Sequence, residues 1–335
     1  MLLRSTLLAR LASLVVATVS LAALPLAQAQ SPAPAKYPDR PIRLVVGVPA
    51  GGTIDLIARI IGQQLSKQMG QSIIVENKGG AGGNIGANFV AKAAPDGYTL
   101  FVSVIGTMAI NPSLYKSLPF DPVKDFASIS QLSSVPQLMV INKNIPANTL
   151  AEFITYAKAN PGKLNYASGG SGTATHLAGE LFNAVAGTDL VHVPYKGSAP
   201  AMTDLISGQA AAMFDQISTA LPQVRNGTVR AMGVTTKQRS PVAPDIPSLA
   251  EGGLTGYDMS TWHGLVAPAG TPVAIINYLH DQTVKALESP EVRKSFADAG
   301  IVPVSSTPAE LEKFTADEIV RWREVIRKAG IEPVQ

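Results

Sequence analysis

The fold turns on residues 44–61, LVVGVPAGGTIDLIARII. An apolar, β-branched run breaks at Pro49-Ala50-Gly51-Gly52. An amphipathic pattern starts at once, with Ile54, Leu56, Ile57, Ile60, Ile61 and Leu65 at helical spacing. This predicts a buried strand over 42–48, a bare loop and a helix over 53–69. Further strands are expected at 72–76 and 98–104, with a helix at 85–93 between them. That βαβαβ order predicts a doubly wound, mostly parallel sheet.

Residues 131–142, QLSSVPQLMVIN, read as a long extended segment interrupted by Pro136, suited to cross between lobes. A second alternating set follows. Strands are expected at 164–167, 190–193, 210–214 and 229–235, and helices at 150–159, 174–185, 199–207 and 217–226. Thr149 and Glu152 make a capping box for the first of these helices. Residues 259–268 read as the strand crossing back. Thr271-Pro272 then opens a helix to about residue 287. Thr307 and Glu310 repeat the capping box before a last helix to 328, which Gly330 stops. The expected architecture is α/β with two lobes, each a mostly parallel sheet flanked by helices, and a ligand cleft between them. Lobe 1 takes residues 36–138 and 263–335, and lobe 2 takes 139–262.

The N-terminus carries Arg4 and Arg10, a 14-residue, nearly unbroken apolar run over 11–24, and the A-x-A sequence Ala27-Gln28-Ala29. This is the pattern of an export signal, too short to span a bilayer well. Cleavage is expected after Ala29, with delivery to the periplasm. The chain has no cysteine. A lipid anchor would need one at the mature N-terminus, so a soluble protein is expected. Without Arg4 and Arg10 the chain holds 25 basic against 24 acidic residues. That balance argues against nucleic acid and polybasic membrane binding. A core at 46% apolar composition must hold the fold without disulfides.

Two glycine loops carry the chemistry. In the first, Ala50, Gly51, Gly52 and Thr53 precede a helix, with Thr53 as its expected N-cap. Bare amides and the first helical N–H groups there suit an anion, although tight strand-to-helix packing explains a single such loop equally well. The second, LNYASGGSGTATHLAGELF (164–182), repeats the pattern. It offers Ser168, Gly169, Gly170, Ser171, Gly172 and Thr173, with His176 beside it. Neither loop holds Arg or Lys, so backbone and hydroxyl dipoles would hold the anion. Asp55 either complements the helix dipole, repels a carboxylate or orients a ligand amine. Asp215-Gln216 ends a strand, where Asp215 either touches a ligand or caps a helix. Thr107 follows the third strand at a similar level. Tyr195 and Lys196 either line the rim or are simply exposed.

Other motifs fail. GGAGGNIGA (79–87) has Ile85 where a dinucleotide fingerprint needs glycine. GGSGT (169–173) has Thr173 where a nucleophile elbow needs glycine. An exported α/β hydrolase using Ser171 and His176 is therefore the alternative reading. His176, His192, His263 and His280 lack metal spacing, so no metal and no cofactor are expected.

Several longer stretches carry a resemblance. They are YPDRPIRLVVGVPAGGTID (37–55), VENKGGAGGNIGANFVAKAAPDGYTL (75–100), INPSLY (110–115), HVPYKGSAPAMTDLISGQ (192–209), MFDQISTALPQVRNGTVRAMGVTT (213–236) and WHGLVAPAGTP (262–272). Through them the chain resembles the Bug receptors, the extracytoplasmic solute-binding proteins of tripartite tricarboxylate transporters. The resemblance implies a Venus-flytrap fold without enzymatic activity. It implies that loops 50–55 and 168–173 pinch a ligand carboxylate, with Thr107 and Asp215 lining the cleft. It further implies a di- or tricarboxylate, acidic amino acid or aromatic carboxylate as ligand, inner-membrane transporter subunits as partners, and a monomer. The first loop departs from the family in carrying Thr53-Ile54 before Asp55, which leaves the ligand open.

Overall fold

The computed structural model describes residues 37–331 and 333; the export signal and its cleavage site lie outside these residues. The chain opens with β1 (Ile42–Val46), α1 (Thr53–Met69), β2 (Ile73–Asn77), α2 (Asn84–Ala91) and β3 (Thr99–Val104). A π-helical turn (Gly106–Ile110) leads into α3 (Asn111–Leu114) and then the long β4 (Phe126–Asn142). The second set is α4 (Leu150–Ala159), β5 (Asn165–Ser168), α5 (Ala174–Ala186), β6 (Val191–Pro194), α6 (Ser198–Ser207), β7 (Ala212–Gln216), α7 (Ile217–Arg225) and β8 (Val229–Val234). The return is β9 (Ser260–Pro268), α8 (Val273–Glu288), α9 (Pro290–Asp298), β10 (Val302–Pro303) and α10 (Pro308–Lys328).

The sheet runs β2-β1-β3-β9-β4-β7-β5-β6, with β8 and β10 also paired to β4. Its two wings, β2-β1-β3 and β7-β5-β6, are parallel, as alternating β and α segments require. Its centre is antiparallel, because β4 and β9 are the crossing strands. β4 changes partner along its length. Phe126 to Pro136 pair with β9, while Gln137 to Ile141 pair with β7. One continuous strand thus belongs to both halves of the sheet. The carboxyl ends of β1, β3, β5 and β7 converge at this junction, where open α/β sheets bind ligands.

Local signals were largely obeyed. Thr307 and Glu310 form the complete reciprocal box at α10. At α4 the Thr149 hydroxyl accepts from the Glu152 amide, but the Glu152 carboxylate takes the Asn148 N–H instead of the N-cap's own. Two expected caps fall elsewhere. Gly52, not Thr53, is the N-cap of α1, which leaves the Thr53 side chain free. Pro272 precedes α8, and the Thr271 hydroxyl donates to the Pro268 carbonyl at 2.7 Å. α10 is tied to the crossing strand from below. Trp262 and Trp322 both donate their indole N–H to Glu318 Oε2, at 3.1 and 3.0 Å, and all three are buried. That satisfies two buried donors with one carboxylate oxygen.

Candidate functional site

The first loop is braced by Asp55. Its side chain turns inward and is 4% exposed. Oδ2 accepts from the Gly51 N–H and Arg59 Nε, both at 3.0 Å. Oδ1 accepts from Arg59 Nη2 and Asn77 Nδ2, both at 2.9 Å. Asn77 also donates to the Val48 carbonyl at 3.1 Å, so the carboxylate links helix, strand and loop. The Arg59 guanidinium first, then the Gly51 and Asn77 donors, hold its pKa down to about 2 against the cost of burial. Among the roles open to Asp55 in the sequence, this geometry is that of a brace. The Gly51 amide, expected to face a ligand, is spent on Asp55. The donors left at this helix start are the N–H groups of Gly52, Thr53, Ile54 and Asp55, which an α-helix cannot satisfy internally. Ala50, Gly51 and Gly52 are exposed beside them.

The second loop holds itself still more tightly. The Gly169 N–H donates to Thr175 Oγ1 at 2.9 Å, Gly170 to Ser168 Oγ at 3.1 Å, and Gly172 to His176 Nδ1 at 3.0 Å. The Thr173 hydroxyl donates to the Gly170 carbonyl at 2.6 Å and accepts from the His176 amide as N-cap of α5. Ser168 is fully buried and shares a 2.7 Å hydrogen bond with His192 Nε2. Most of the amides and hydroxyls expected to be bare are therefore used within the loop. Ser171 is the exposed exception.

His176 lies under the loop, 5% exposed, its ring stacked on His192 at 3.8 Å between centroids. Its Nδ1 accepts from Gly172, and its Nε2 faces Glu180 at 3.6 Å. Tyr166 donates to the same Glu180 carboxylate at 2.6 Å. Both ring nitrogens are thus committed away from Ser171, and the nucleophile–base pair of a hydrolase is not assembled. Burial, and then the adjacent His176 ring, push the His192 pKa down to about 4. His263 is wholly buried, which pushes its pKa down to about 3.

The loops meet across the junction of the sheet. The Thr53 hydroxyl donates to Gln216 Oε1, at the end of β7, at 3.2 Å. β7 pairs with β5, whose end carries the second loop. A Cβ on Gly172 would stand 3.1 Å from Leu114 of α3, so the second loop also abuts the first half of the chain. Thr107 is fully buried in the π-helical turn after β3, with its hydroxyl donating to the Gly82 carbonyl at 3.3 Å. The 79–87 glycine run is packing: a Cβ on Gly86 would lie 2.9 Å from the Gly47 Cα.

Asp215 faces away from this meeting point. Successive strand residues alternate faces, so it points opposite to Gln216. It accepts from Ser198 Oγ at 2.8 Å and Thr219 Oγ1 at 2.6 Å, beside a cavity of about 450 Å³ between α6 and α7. Burial pushes its pKa up, and those hydroxyls oppose the rise. Gln216, not Asp215, is the residue of that dipeptide that reaches the first loop. Lys196 is exposed at the rim, and the Tyr195 hydroxyl is engaged by Asp204 at 2.7 Å. No group of three or more potential metal ligands occurs among the described residues.

Two α/β halves joined through one shared strand, β4, and by the return of the chain into β9, with a loop from each half at the junction, define a two-lobe binding protein. The chain belongs to the family described as "Tripartite tricarboxylate transporter family receptor", whose profile matches residues 57–331. It is 38% identical over 295 residues to protein BugT of Bordetella pertussis, covering 88% of this chain and 90% of that protein. The structure of R. palustris Rpa4515 with adipate superposes with a TM-score of 0.76 at 35% identity, over 89% of this chain and all (100%) of that one. MatC (Rpa3494) from Rhodopseudomonas palustris with bound malate gives a TM-score of 0.71 at 36% identity, over 87% and 100%. The fold is that of a periplasmic binding protein, and the family is one of solute-binding receptors rather than enzymes. No helix among the described residues is long and apolar enough to cross a membrane.

Proposed function

We propose that this protein is a periplasmic receptor that takes a small carboxylate into the cleft at the sheet junction and presents it to membrane subunits of a tripartite transporter. The observation that carries the reading is the Thr53–Gln216 contact, which brings the start of α1 against the lobe that bears the second glycine loop. The carboxylate is received by the free N–H groups at the starts of α1 and α5 and by Ser171. The dipoles there favour negative charge. Ala50, Gly51, Gly52 and Thr53 form one wall, and Ser168 to Thr173 the other. Asp55, His176 and Thr107 hold those walls in shape, and Asp215 anchors α6 and α7 behind them. The lobes divide at the partner switch of β4, so lobe 1 is residues 37–136 with 260–331, and lobe 2 is 137–259. Export through the N-terminal signal and a monomeric state belong to the same reading. The adipate and malate bound by two relatives support a carboxylate.

The test is a thermal-shift screen of mono-, di- and tricarboxylates, with adipate and malate included. A true ligand at about 100 times its Kd adds roughly 2.7 kcal/mol of stability, a shift of several degrees, with no turnover. Because the loops carry no Lys or Arg, the affinity should change less than about threefold between low and high sodium chloride. No stabilisation by any carboxylate overturns the reading.

A further inference from the structure

Gln137 stands where β4 changes partners, and it is fully buried. Neither its side-chain oxygen nor its side-chain nitrogen has a hydrogen-bond partner among the described residues. Gln68, Asn88 and Ser113 also carry a buried unpaired atom but are only partly buried, whereas Gln137 is fully buried with both its polar atoms unpaired. An amide buried this way is costly to fold, and natural proteins rarely keep one without a use.

Its position supplies the use. Gln137 is the direct cross-strand partner of Gln216. Residues opposed in an antiparallel pair share a face of the sheet, with Cβ atoms about 4.5–5.5 Å apart. From that face Gln216 reaches Thr53 at the start of α1. The Gln137 carboxamide therefore lies beside the contact that joins the two lobes, deeper than Gln216, which is partly exposed.

We infer that Gln137 is a specificity-determining residue of this cleft, whose carboxamide hydrogen-bonds a polar group of the ligand other than its carboxylate. This rests on the carboxylate-receptor reading above. A carboxamide offers one acceptor and two donors. Pairing both ends calls for a ligand group that donates and accepts, such as a hydroxyl or a carboxamide. A second carboxylate only accepts; it would leave Oε1 unpaired and facing a like partial charge. Arg59 is committed to Asp55, Lys78 pairs with Glu76, and Lys196 is exposed. The ligand class is an acid with an uncharged polar end.

Titration calorimetry on a matrix of four- to six-carbon acids ending in methyl, hydroxyl, carboxamide or carboxylate tests this in the wild type and in Gln137→Leu. In the wild type, the hydroxyl or carboxamide acid of the best chain length should bind at least tenfold tighter than its methyl and carboxylate counterparts. Gln137→Leu should abolish the preference, so that the hydroxyl or carboxamide acid binds no tighter than the methyl acid. The ligand-free variant should melt no lower than the wild type, since it removes an unpaired amide. A wild type that favours the dicarboxylate, or a variant that keeps the preference, overturns the inference and leaves the receptor reading intact. A variant that melts clearly lower makes Gln137 a structural residue and also overturns it. A wild type that binds nothing in the matrix removes the carboxylate reading, and the inference with it.

Discussion

Replacing Asp55 by asparagine should damage both stability and affinity, although Asp55 touches no ligand in this reading. Its two oxygens accept from Gly51, Asn77 and two nitrogens of Arg59. The Asn variant keeps the shape but puts an NH2 group where one acceptor stood, against a donor. Hydrogen bonds to a charged group are worth about 1.5–3 kcal/mol each. The Arg59 side chain is 53% exposed, so solvent screens its share and leaves it the smallest of the contributions. The bonds from Gly51 and Asn77 to this buried carboxylate supply most of an expected loss of about 2–4 kcal/mol. At roughly 2 °C per kcal/mol for a chain of this size, Tm should fall by about 4–8 °C. The affinity follows from the loop. Freed of its brace, even one residue at 50–52 costs about 1–2 kcal/mol to order again on binding. That alone approaches or exceeds the 1.4 kcal/mol that makes a tenfold loss. Scanning fluorimetry and titration calorimetry with a carboxylate from the screen give both numbers. Arg59→Ala is the control, with a fall of no more than about 2 °C. If Asp55→Asn melts like the wild type, or if Arg59→Ala costs as much, the brace has been misread.

The glycines should separate by backbone, not by space. Gly51 sits at φ 96° with nothing near its missing Cβ, and Gly52 at φ −88° is equally open. Gly51→Ala should thus cost about 1 kcal/mol and weaken binding, while Gly52→Ala leaves Tm within about 1 °C; equal effects would refute the strain argument. Gly170→Val meets both a φ of 135° and the Tyr195 carbonyl 3.3 Å from its new Cβ, so binding should weaken more than tenfold by calorimetry. The His192 pKa is lowered on folding to about 4, so the unfolded chain binds more protons between that value and about 6.5. Its stability contribution is full above about pH 6.5 and is lost as pH falls through about 4; urea unfolding at pH 7 and pH 5 should show the loss, and a His192→Gln variant with the same slope would exclude this source. Gln216→Ala deletes one neutral hydrogen bond across the lobes and should weaken ligand binding about two- to tenfold, with ligand-free Tm changed by no more than about 2 °C.

Much of the fold was legible because its signals are local. The helix over Thr53–Met69 follows from apolar spacing within one segment, and the box at Thr307 from two residues three apart. β1, which leads into the first glycine loop, was legible from its β-branched run. The antiparallel centre was not, since nothing local in residues 126–142 says which strands will flank them. α9, β10 and the π-helical turn at Gly106–Ile110 also escaped. α9 has little apolar content, with Val292 and Phe296 its only buried residues. The turn hides in an apolar stretch that suits a regular helix equally well.

The site was legible as loops but not as partners. The hydroxyls and glycines of residues 168–176 stand together in the sequence, yet what occupies Ser168 is His192, 24 residues further on. Asp55 is inseparable from Asn77, which arrives on the next strand. Gln137 was hidden by a different effect. β4 is irregular between Ser128 and Ser130 and again between Gln131 and Ser133. Each extra residue flips the faces of those that follow. Ile129, Leu132 and Val135 consequently share one core at intervals of three, a spacing that mimics a helix and defeats a period of two. Beyond the last irregularity before the switch, alternation resumes: Leu138 and Val140 face one core, Met139 and Ile141 the other. That parity puts Gln137 on the side of Met139, beside Gln216, in place of a hydrophobic residue. A strand read only as a crossing between lobes thereby carries, where its partner changes from β9 to β7, a buried amide with neither end paired.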